Sequence, residues 1–154
     1  MVSEDIIIPE LYLQRFRTKN EFSGAIVSFS GNVRIDKHDI GSTQALYLQA
    51  HEPITSTKIE QARQKALKRW ELDDALISHR IGYMNPGETI VFVATATAHR
   101  RDAFLAADFL MDYLKTEAFF WKKEISQSGS KWIEPKETDY RDAKRWSNLS
   151  EKDK

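Results

Sequence analysis

Residues 89–98 constrain the fold more than any other part of the chain. They are mostly apolar and rich in β-branched side chains, which is typical of a buried strand. The four residues before them (85–88, Asn-Pro-Gly-Glu) predict a tight turn, because proline presets the first turn angle and glycine accepts a positive one. A helical pattern follows over residues 102–115. A strand that leaves a turn and enters a helix predicts a domain that mixes sheet and helix.

Shorter patterns give the rest of the order. We predict strands at residues 6–8, 25–30, 45–49, 75–81, 119–125 and 131–133. We predict helices at residues 9–17, from Pro53 with the box Thr-Lys-Ile-Glu at 57–60, and at residues 139–146. An exposed loop at 34–42 and a turn at 128–130 separate strands. The order of these strands and of the two main helices predicts the α+β class with a mixed sheet. No pattern favours a barrel or a Rossmann fold.

Composition limits the classes of function. The chain has 154 residues, enough for one domain over residues 1–154, and its 23 Lys+Arg balance 23 Asp+Glu. That balance argues against a strongly basic nucleic-acid binder. Without cysteine there is no disulfide, thiolate metal site or cysteine nucleophile, and the four histidines lack metal-ligand spacing. With no long apolar run and no signal-peptide pattern, we expect a cytoplasmic protein with no membrane association and no metal.

Basic residues collect where the main strand meets its helix. His99, Arg100 and Arg101 stand at the expected helix N-terminus, where cations are disfavoured and anions bind well. They indicate an anion site, such as a phosphate site. The alternative is a solvated loop in which Asp102 neutralises part of the charge.

Two lysine-containing segments raise the same question. At 100° per residue, Lys115 falls in line with Phe104 and Met111, so it either reaches water or enters an apolar pocket with a lowered pKa. The alternative is a lysine at the helix C-terminus that complements the helix dipole. In residues 119–124 one of the two lysines, Lys122 or Lys123, must accompany the more buried strand face, unless this is a protected edge strand.

A further candidate lies at the end of residues 25–30. Gly31 would let a ligand approach the backbone closely, and the forked guanidinium of Arg34 can bind phosphate or carboxylate. The alternative is a bulge followed by a surface arginine. Aromatic residues interleave with all these cations, which also occurs in nucleic-acid binders, although the neutral net charge counts against that function.

Taken in order, these segments resemble the molybdopterin synthase large-subunit family. The matching stretches are GAIVSFSGNVR (24–34), HRIG (79–82), PGE (86–88) with IVFV (90–93), AHR (98–100), MDYLKT (111–116), FWKKE (120–124) and KRW (144–146). Residues 1–23 match only loosely, and residues 147–154 are expected to be a frayed tail.

The resemblance implies a fold, partners and a reaction. The fold is an α/β hammerhead with a smaller antiparallel β subdomain, in a homodimer that binds two small ubiquitin-like subunits as a heterotetramer. The small subunit's C-terminal Gly-Gly carries a thiocarboxylate. Its sulfur is transferred twice to cyclic pyranopterin monophosphate, a pterin phosphate, which makes the dithiolene of molybdopterin. No cofactor is implied.

The resemblance also assigns residues. Catalysis falls on Lys115 and Lys122. The substrate-binding positions are Asn32, Val33, Arg34, His99, Arg100, Lys115, Lys122, Lys123 and Glu124. The chain departs from the family pattern at Asn32, where many members carry a basic or small polar residue, at Phe119, which is often proline, and at Arg101, an added cation.

The sequence leaves two other functions open. One is a non-catalytic module of the same fold that binds a ubiquitin-like Gly-Gly tail, and the other is a nucleic-acid-binding domain. We further predict that Arg34, His99, Arg100, Lys115 and Lys122 converge on one pocket, to be judged on the assembled dimer.

Overall fold

The computed structural model describes residues 1–34, 43–126 and 129–148. Within these ranges four helices and eight strands form. The helices are α1 (Pro9–Lys19), α2 (Ile54–Arg69), α3 (Arg100–Thr116) and α4 (Glu137–Asn148). The strands are β1 (Val2–Ser3), β2 (Ala25–Asn32), β3 (Thr43–Ala50), β4 (Asp74–Arg80), β5 (Gly82–Met84), β6 (Thr89–Thr97), β7 (Phe120–Ser126) and β8 (Gly129–Ile133).

The strands form two four-stranded sheets. The main sheet has the order β1-β4-β6-β2, with β1 parallel to β4 and the other pairs antiparallel. The small sheet has the order β5-β3-β7-β8 and is antiparallel throughout. The predicted α+β class, with its mixed sheet and separate antiparallel β subdomain, is therefore confirmed.

Strand β6 lies at the centre of the packing. Its residues Val91 and Val93 face the cluster that α2 and α3 cover, whereas Phe92 and Ala94 face the cluster that includes Phe16 of α1. The strand is thus buried on both faces, which explains why its sequence is a nearly continuous apolar run rather than an alternating one. The main sheet is accordingly the middle layer between α1 and the α2–α3 pair.

Two local predictions are wrong. Residues 6–8 form no strand; only Ile7 is buried, packed in a cluster with Phe16, because Pro9 starts α1 directly after them. The box at residues 57–60 is not a helix start, since α2 already begins at Ile54 and Thr57 lies in its first turn. The N–H of Thr57 donates to the carbonyl of Pro53 instead.

Other boundaries shift by a few residues. Helix α3 begins at Arg100 instead of Asp102, and α4 runs past the expected 139–146 in both directions. Residues 147–148 therefore belong to α4 rather than to a frayed tail. The rest of that tail, 149–154, most of the expected loop at 34–42, and Ser128 of the expected turn lie outside the described residues. The single domain over residues 1–154 stays a prediction.

The two sheets meet at a small apolar cluster. Val33, Leu46, Leu48 and Met84 form it, and the Phe120 side chain packs against it. The Phe120 ring also stacks on the imidazole of His79, with centroids 3.9 Å apart. This contact fixes the start of β7 against the end of β4. In the described part of the chain, no helix has the length and apolar character needed to cross a membrane.

Candidate active site

Helix α3 carries Lys115 at its last turn. The expected apolar line through Phe104 and Lys115 is wrong, because Phe104 is 63% exposed and the Lys115 side chain 57%. The buried face of α3 consists instead of Ala103, Ala106, Ala107, Phe109, Leu110 and Leu114. Alanines let the helix lie close to the sheet, so the contact face follows the small residues and Lys115 is left at the rim.

Helix α4 supplies the partner of Lys115. The Lys115 Nζ lies 3.2 Å from an Asp139 Oδ1, and the other oxygen of Asp139 accepts the backbone N–H of Lys136 at 2.9 Å. The helix is held on α3 by Arg145 and Trp146, which both donate to the Asp112 carboxylate at 2.7 Å. The Lys-Arg-Trp motif at 144–146 therefore anchors α4, and this anchor places Asp139 beside Lys115.

Strand β7 carries Lys122 on its inner face. Lys122 shares that face with Phe120 and Glu124, because side chains two apart in a strand point the same way. Lys123 points to the opposite face, with its Nζ 5.4 Å from the centre of the Trp132 ring. Of the two predicted lysines, Lys122 thus accompanies the more buried face.

The electrostatic surroundings of Lys122 are unfavourable to its charge. Burial lowers the pKa of the Lys122 ammonium, and the cations Arg34, Lys115 and Lys136 lower it further, whereas Glu124 raises it. Three separate segments of the chain therefore bring their cations close enough to act on one amine. A lysine with a lowered pKa is suited to act as a base or a nucleophile.

A cavity of about 470 Å³ lies beside both lysines. Its lining comprises Lys115, Thr116, Phe119, Phe120, Trp121, Lys122, Trp132, Ile133, Glu134, Pro135 and Tyr140. A larger groove of about 1320 Å³ runs along α2 and α3 and includes Arg101, but it contains none of the residues assigned to substrate or catalysis. We take the smaller cavity as the candidate active site, because both lysines assigned to catalysis line it. Its aromatic walls and few polar groups are typical of ligand pockets.

The three residues at the end of β2 have different surroundings. The Asn32 side chain accepts a hydrogen bond from the Thr89 hydroxyl at 3.0 Å. Val33 is 5% exposed and belongs to the apolar cluster between the sheets, so its side chain has a packing role. Arg34 is exposed and acts on Lys122 through its charge.

His99 and Arg100 lie at the other end of α3. His99 is the residue before the helix, Arg100 its first residue, and both are exposed. Fifteen residues of helix separate Arg100 from Lys115, a distance of about 22 Å. A single chain therefore brings together Arg34, Lys115 and Lys122 but not His99 and Arg100. Convergence of all five stays a prediction for a dimer.

Sequence reasoning missed several residues of this region. Lys136 acts on Lys122, Asp139 binds Lys115, and Trp132 and Tyr140 line the cavity. One signal was available: Asp139 is the third residue of α4, where acidic side chains commonly accept a free backbone N–H. The sequence carried no signal for the backbone conformation of Phe119. Its φ of 54° is unusual for a non-glycine residue, and its carbonyl accepts the buried Thr55 hydroxyl at 3.2 Å.

The chemistry of the cavity is that of anion binding with an available amine. Within the described residues, no group of three His, Asp or Glu side chains could hold a metal ion. Cations at Arg34, Lys115 and Lys136 favour a bound anion, and the amine of Lys122 can accept a proton from it or from water.

Comparisons with known proteins show the family of the chain. The family model described as MoaE protein matches residues 1–117. The chain is 46% identical, over 90% of both sequences, to a molybdopterin synthase catalytic subunit from Caulobacter vibrioides. Its structure resembles the molybdopterin biosynthesis MoaE protein from Burkholderia ambifaria MC40-6, with a TM-score of 0.79 and 36% identity over 96% of this chain and 97% of that one.

A fourth match shows the fold alone. It is a chain from the complex of subunits 1 and 2 of molybdopterin-converting factor from Helicobacter pylori 26695, with a TM-score of 0.72 at 20% identity, over 88% of this chain and 89% of that one. The family match over most of the chain and the identity to the Caulobacter protein lead to one conclusion: the chain belongs to the MoaE family, the catalytic subunits of molybdopterin synthase.

Proposed function

We propose that this chain transfers sulfur from the thiocarboxylated Gly-Gly C-terminus of a small ubiquitin-like subunit to cyclic pyranopterin monophosphate. Two transfers make the dithiolene of molybdopterin. The observation that carries the proposal is the half-buried Lys122 amine among Arg34, Lys115 and Lys136, beside a cavity with aromatic walls. The site thus combines anion attraction with an amine of lowered pKa.

Both reactants are anions. The thiocarboxylate tail and the cyclic phosphate would each be drawn to this group of cations, most strongly at low salt. The tail is narrow because it ends in two glycines, so it can enter the cavity more easily than a bulky chain end would. The forked guanidinium of Arg34 is suited to the phosphate.

The two lysines suit different steps. The thiocarboxylate sulfur bonds to a pterin carbon, an oxygen substituent leaves that carbon, and a thioester joins the tail to the pterin. Water then adds to the acyl carbon, and the C–S bond breaks, so that the sulfur stays on the pterin and the tail leaves as a carboxylate. The water addition develops negative charge on the acyl oxygen, and the ion-paired ammonium of Lys115 at the rim is placed to stabilise it. Delivery to the pterin requires proton movement, for which the lowered pKa of Lys122 is suited. The absence of cysteine fits this scheme, since the sulfur arrives on the partner and no persulfide forms on this chain.

The proposal includes partners and an assembly. The Helicobacter pylori chain of the same fold is described as part of a complex of two subunits, which supports a small partner subunit here. In a homodimer, His99 and Arg100 of a second copy would complete the anion site that one chain leaves without them. Two small subunits on such a dimer make a heterotetramer. The cytoplasmic location stays a prediction.

A reconstitution separates this enzyme from the two alternatives. The chain is mixed with a thiocarboxylated small subunit and the pterin precursor, and dithiolene formation is followed in a single turnover. We expect product with the thiocarboxylate and none with the same subunit ending in an ordinary carboxylate. Binding of the tail without product would leave only the non-catalytic module.

The nucleic-acid alternative has its own test. Micromolar binding to generic RNA or DNA with a steep salt dependence would revive it. We expect weak binding, because the positive and negative charges of the chain balance.

A further inference from the structure

A buried arginine lies at the end of β4, outside the site residues assigned so far. Arg80 is only 9% exposed, and its Nη1 lies 3.4 Å from an Oε1 of Glu88. The Arg80 Nε and Nη1 have no hydrogen-bond partner among the residues that the structure describes. A buried guanidinium depends strongly on its counter-charge, so Glu88 holds Arg80 more through charge than through hydrogen-bond geometry.

Glu88 makes three contacts at once. One carboxylate oxygen faces Arg80, and the other accepts the backbone N–H of Asn85 and so closes the turn. Its backbone carbonyl accepts the N–H of Val33 at 2.9 Å. The neighbouring Gly87 donates its N–H to the Val33 carbonyl at 2.7 Å. Val33 is therefore held on both sides by the turn that the Arg80–Glu88 pair secures.

The consequence reaches the candidate active site through the next residue. Val33 packs in one apolar cluster with Leu48, the β3 residue that pairs with Lys122 of β7. Arg34 follows Val33 directly, is exposed, and contributes to the charge around Lys122. The position of its backbone depends on Val33, since Val33 is both buried in the apolar cluster and hydrogen-bonded to residues 87–88.

We propose that the Arg80–Glu88 ion pair is a positioning device that holds Arg34 next to Lys122. Neither Arg80 nor Glu88 touches the reacting groups; they act by fixing the turn at 85–88, which fixes Val33 and hence Arg34. The proposal rests on the proposed function for its catalytic meaning, but its geometry is testable without turnover.

The first experiment measures the reactivity of the Lys122 amine. The whole chain is treated with an acetylating N-hydroxysuccinimide ester at several pH values, and acetylation of Lys122 is quantified by peptide mass spectrometry. Glu88→Gln removes the charge opposite Arg80, and we expect the turn at 85–88 to loosen and Arg34 to move away from the Lys122 ammonium. We expect the pH at which Lys122 becomes reactive to rise, with a several-fold slower acetylation at pH 8.

A matched control lies on the same strand. Asp74, at the start of β4, is also buried and pairs with Lys19 at 2.7 Å. It is about 20 Å from Arg80 along the strand. Asp74→Asn breaks a comparable pair and is expected to leave the Lys122 profile unchanged. Equal shifts in both variants would overturn the proposal, because they would show a general loss of rigidity.

A double variant guards against misfolding. Glu88→Gln leaves Arg80 buried without its counter-charge, so Arg80→Met is combined with it to remove both charges. A folded double variant, judged by thermal melting, should show the same rise in the pH of Lys122 reactivity. An unchanged profile in this folded protein would refute the positioning role.

A thermodynamic cycle tests the route through Arg34. In an Arg34→Ala background, the Arg80→Met/Glu88→Gln change is expected to have no further effect on Lys122, because the group that it positions is gone. A full additional effect would show that the pair acts by another path. These experiments measure only the labelling of Lys122. A lack of dithiolene product in the unmodified protein would therefore count against the proposed function and not against the positioning role of the Arg80–Glu88 pair.

Discussion

At the end of α3, Lys115 is an exposed side chain bound to a carboxylate, whereas in the middle of β7 Lys122 is half-buried among cations. The two lysines border the same cavity. Asp139 compensates the charge of Lys115, whereas burial and neighbouring cations disfavour the charge of Lys122. The difference shows how one site obtains two amines with different properties from one residue type. The difference arises because Lys115 lies at the end of a helix, where it reaches solvent and α4, whereas Lys122 lies in a strand and faces the core.

The largest effect is expected from Lys115→Ala, which removes the compensated lysine. Losing an electrostatic donor of this kind typically lowers a rate about a hundredfold to a thousandfold. The melting temperature and the complex with the small subunit should be nearly unchanged, because an exposed ion pair contributes only about 0–1 kcal/mol. Single-turnover product formation, melting and a pull-down of the small subunit measure these outcomes. Near-normal turnover would refute the catalytic assignment, and loss of turnover with a collapsed melting temperature would make Lys115 structural.

The buried His79, which packs against the strand that carries Lys122, predicts that the stability of the fold depends on pH. Burial lowers the pKa of the His79 imidazole from 6.5 to about 4, and its ring stacks on Phe120, two residues before Lys122. Between these values the unfolded chain binds a proton that the folded chain does not, so stability falls as pH drops from 6.5 to 4. The loss approaches about 3 kcal/mol at the low end.

Melting curves of the native chain and of His79→Gln check this prediction. The difference between them should depend on pH within that window, since the variant has no imidazole to titrate. A constant difference from pH 4 to pH 6.5 would show that His79 does not titrate as its burial implies.

How far the sequence predicts this site can be judged from the same two lysines. Strand alternation predicts that Lys122 and Lys123 lie on opposite faces but leaves open which of them is the inner one, and the structure shows that it is Lys122. For Lys115 the sequence left two environments open, water or an apolar pocket, and the structure shows the first. The apolar line through Phe104 was wrong, because the helical projection ignored the alanines that form the contact face. Size and polarity alone do not reveal which face of a helix lies close to a sheet.

Longer-range features were beyond sequence reasoning. The turn at 85–88 and the buried strand β6 have local signals and were predicted. The meeting of Arg34 with Lys122, and of Asp139 with Lys115, depends on the order of the strands and on how α4 docks. The isoleucine run at residues 6–8 was misassigned because β-branched residues also serve as single anchors in extended chain.

A smaller effect is expected from Asp139→Asn. This carboxylate is partly desolvated, but the Lys136 backbone N–H and the Lys115 ammonium keep its pKa below the usual value. The amide keeps an acceptor for Lys136 and loses the charge opposite Lys115. We expect a loss of roughly 1 kcal/mol or less in stability, as for a weakened helix N-terminus. Because the folded pKa is depressed, the difference from the native chain should vanish as pH falls through it, and a difference that persisted there would contradict this account.

The smallest effect is expected from Lys122→Met. In the folded chain the Lys122 ammonium is disfavoured by burial and by three neighbouring cations, so its pKa lies below that of the unfolded chain. Between the folded and unfolded pKa values the unfolded state binds more protons, and the stability of the native chain therefore rises with pH. Below the folded value the penalty is present in full. Methionine keeps the aliphatic length without the charge, so it should raise the melting temperature slightly at neutral pH and lose this advantage as pH approaches 10.5.

Lys115→Met, the matched control, should bring no gain, because the charge of Lys115 is compensated by Asp139. A lower melting temperature for Lys122→Met would mean that this ammonium stabilises the fold, and the contrast between the two lysines would be lost.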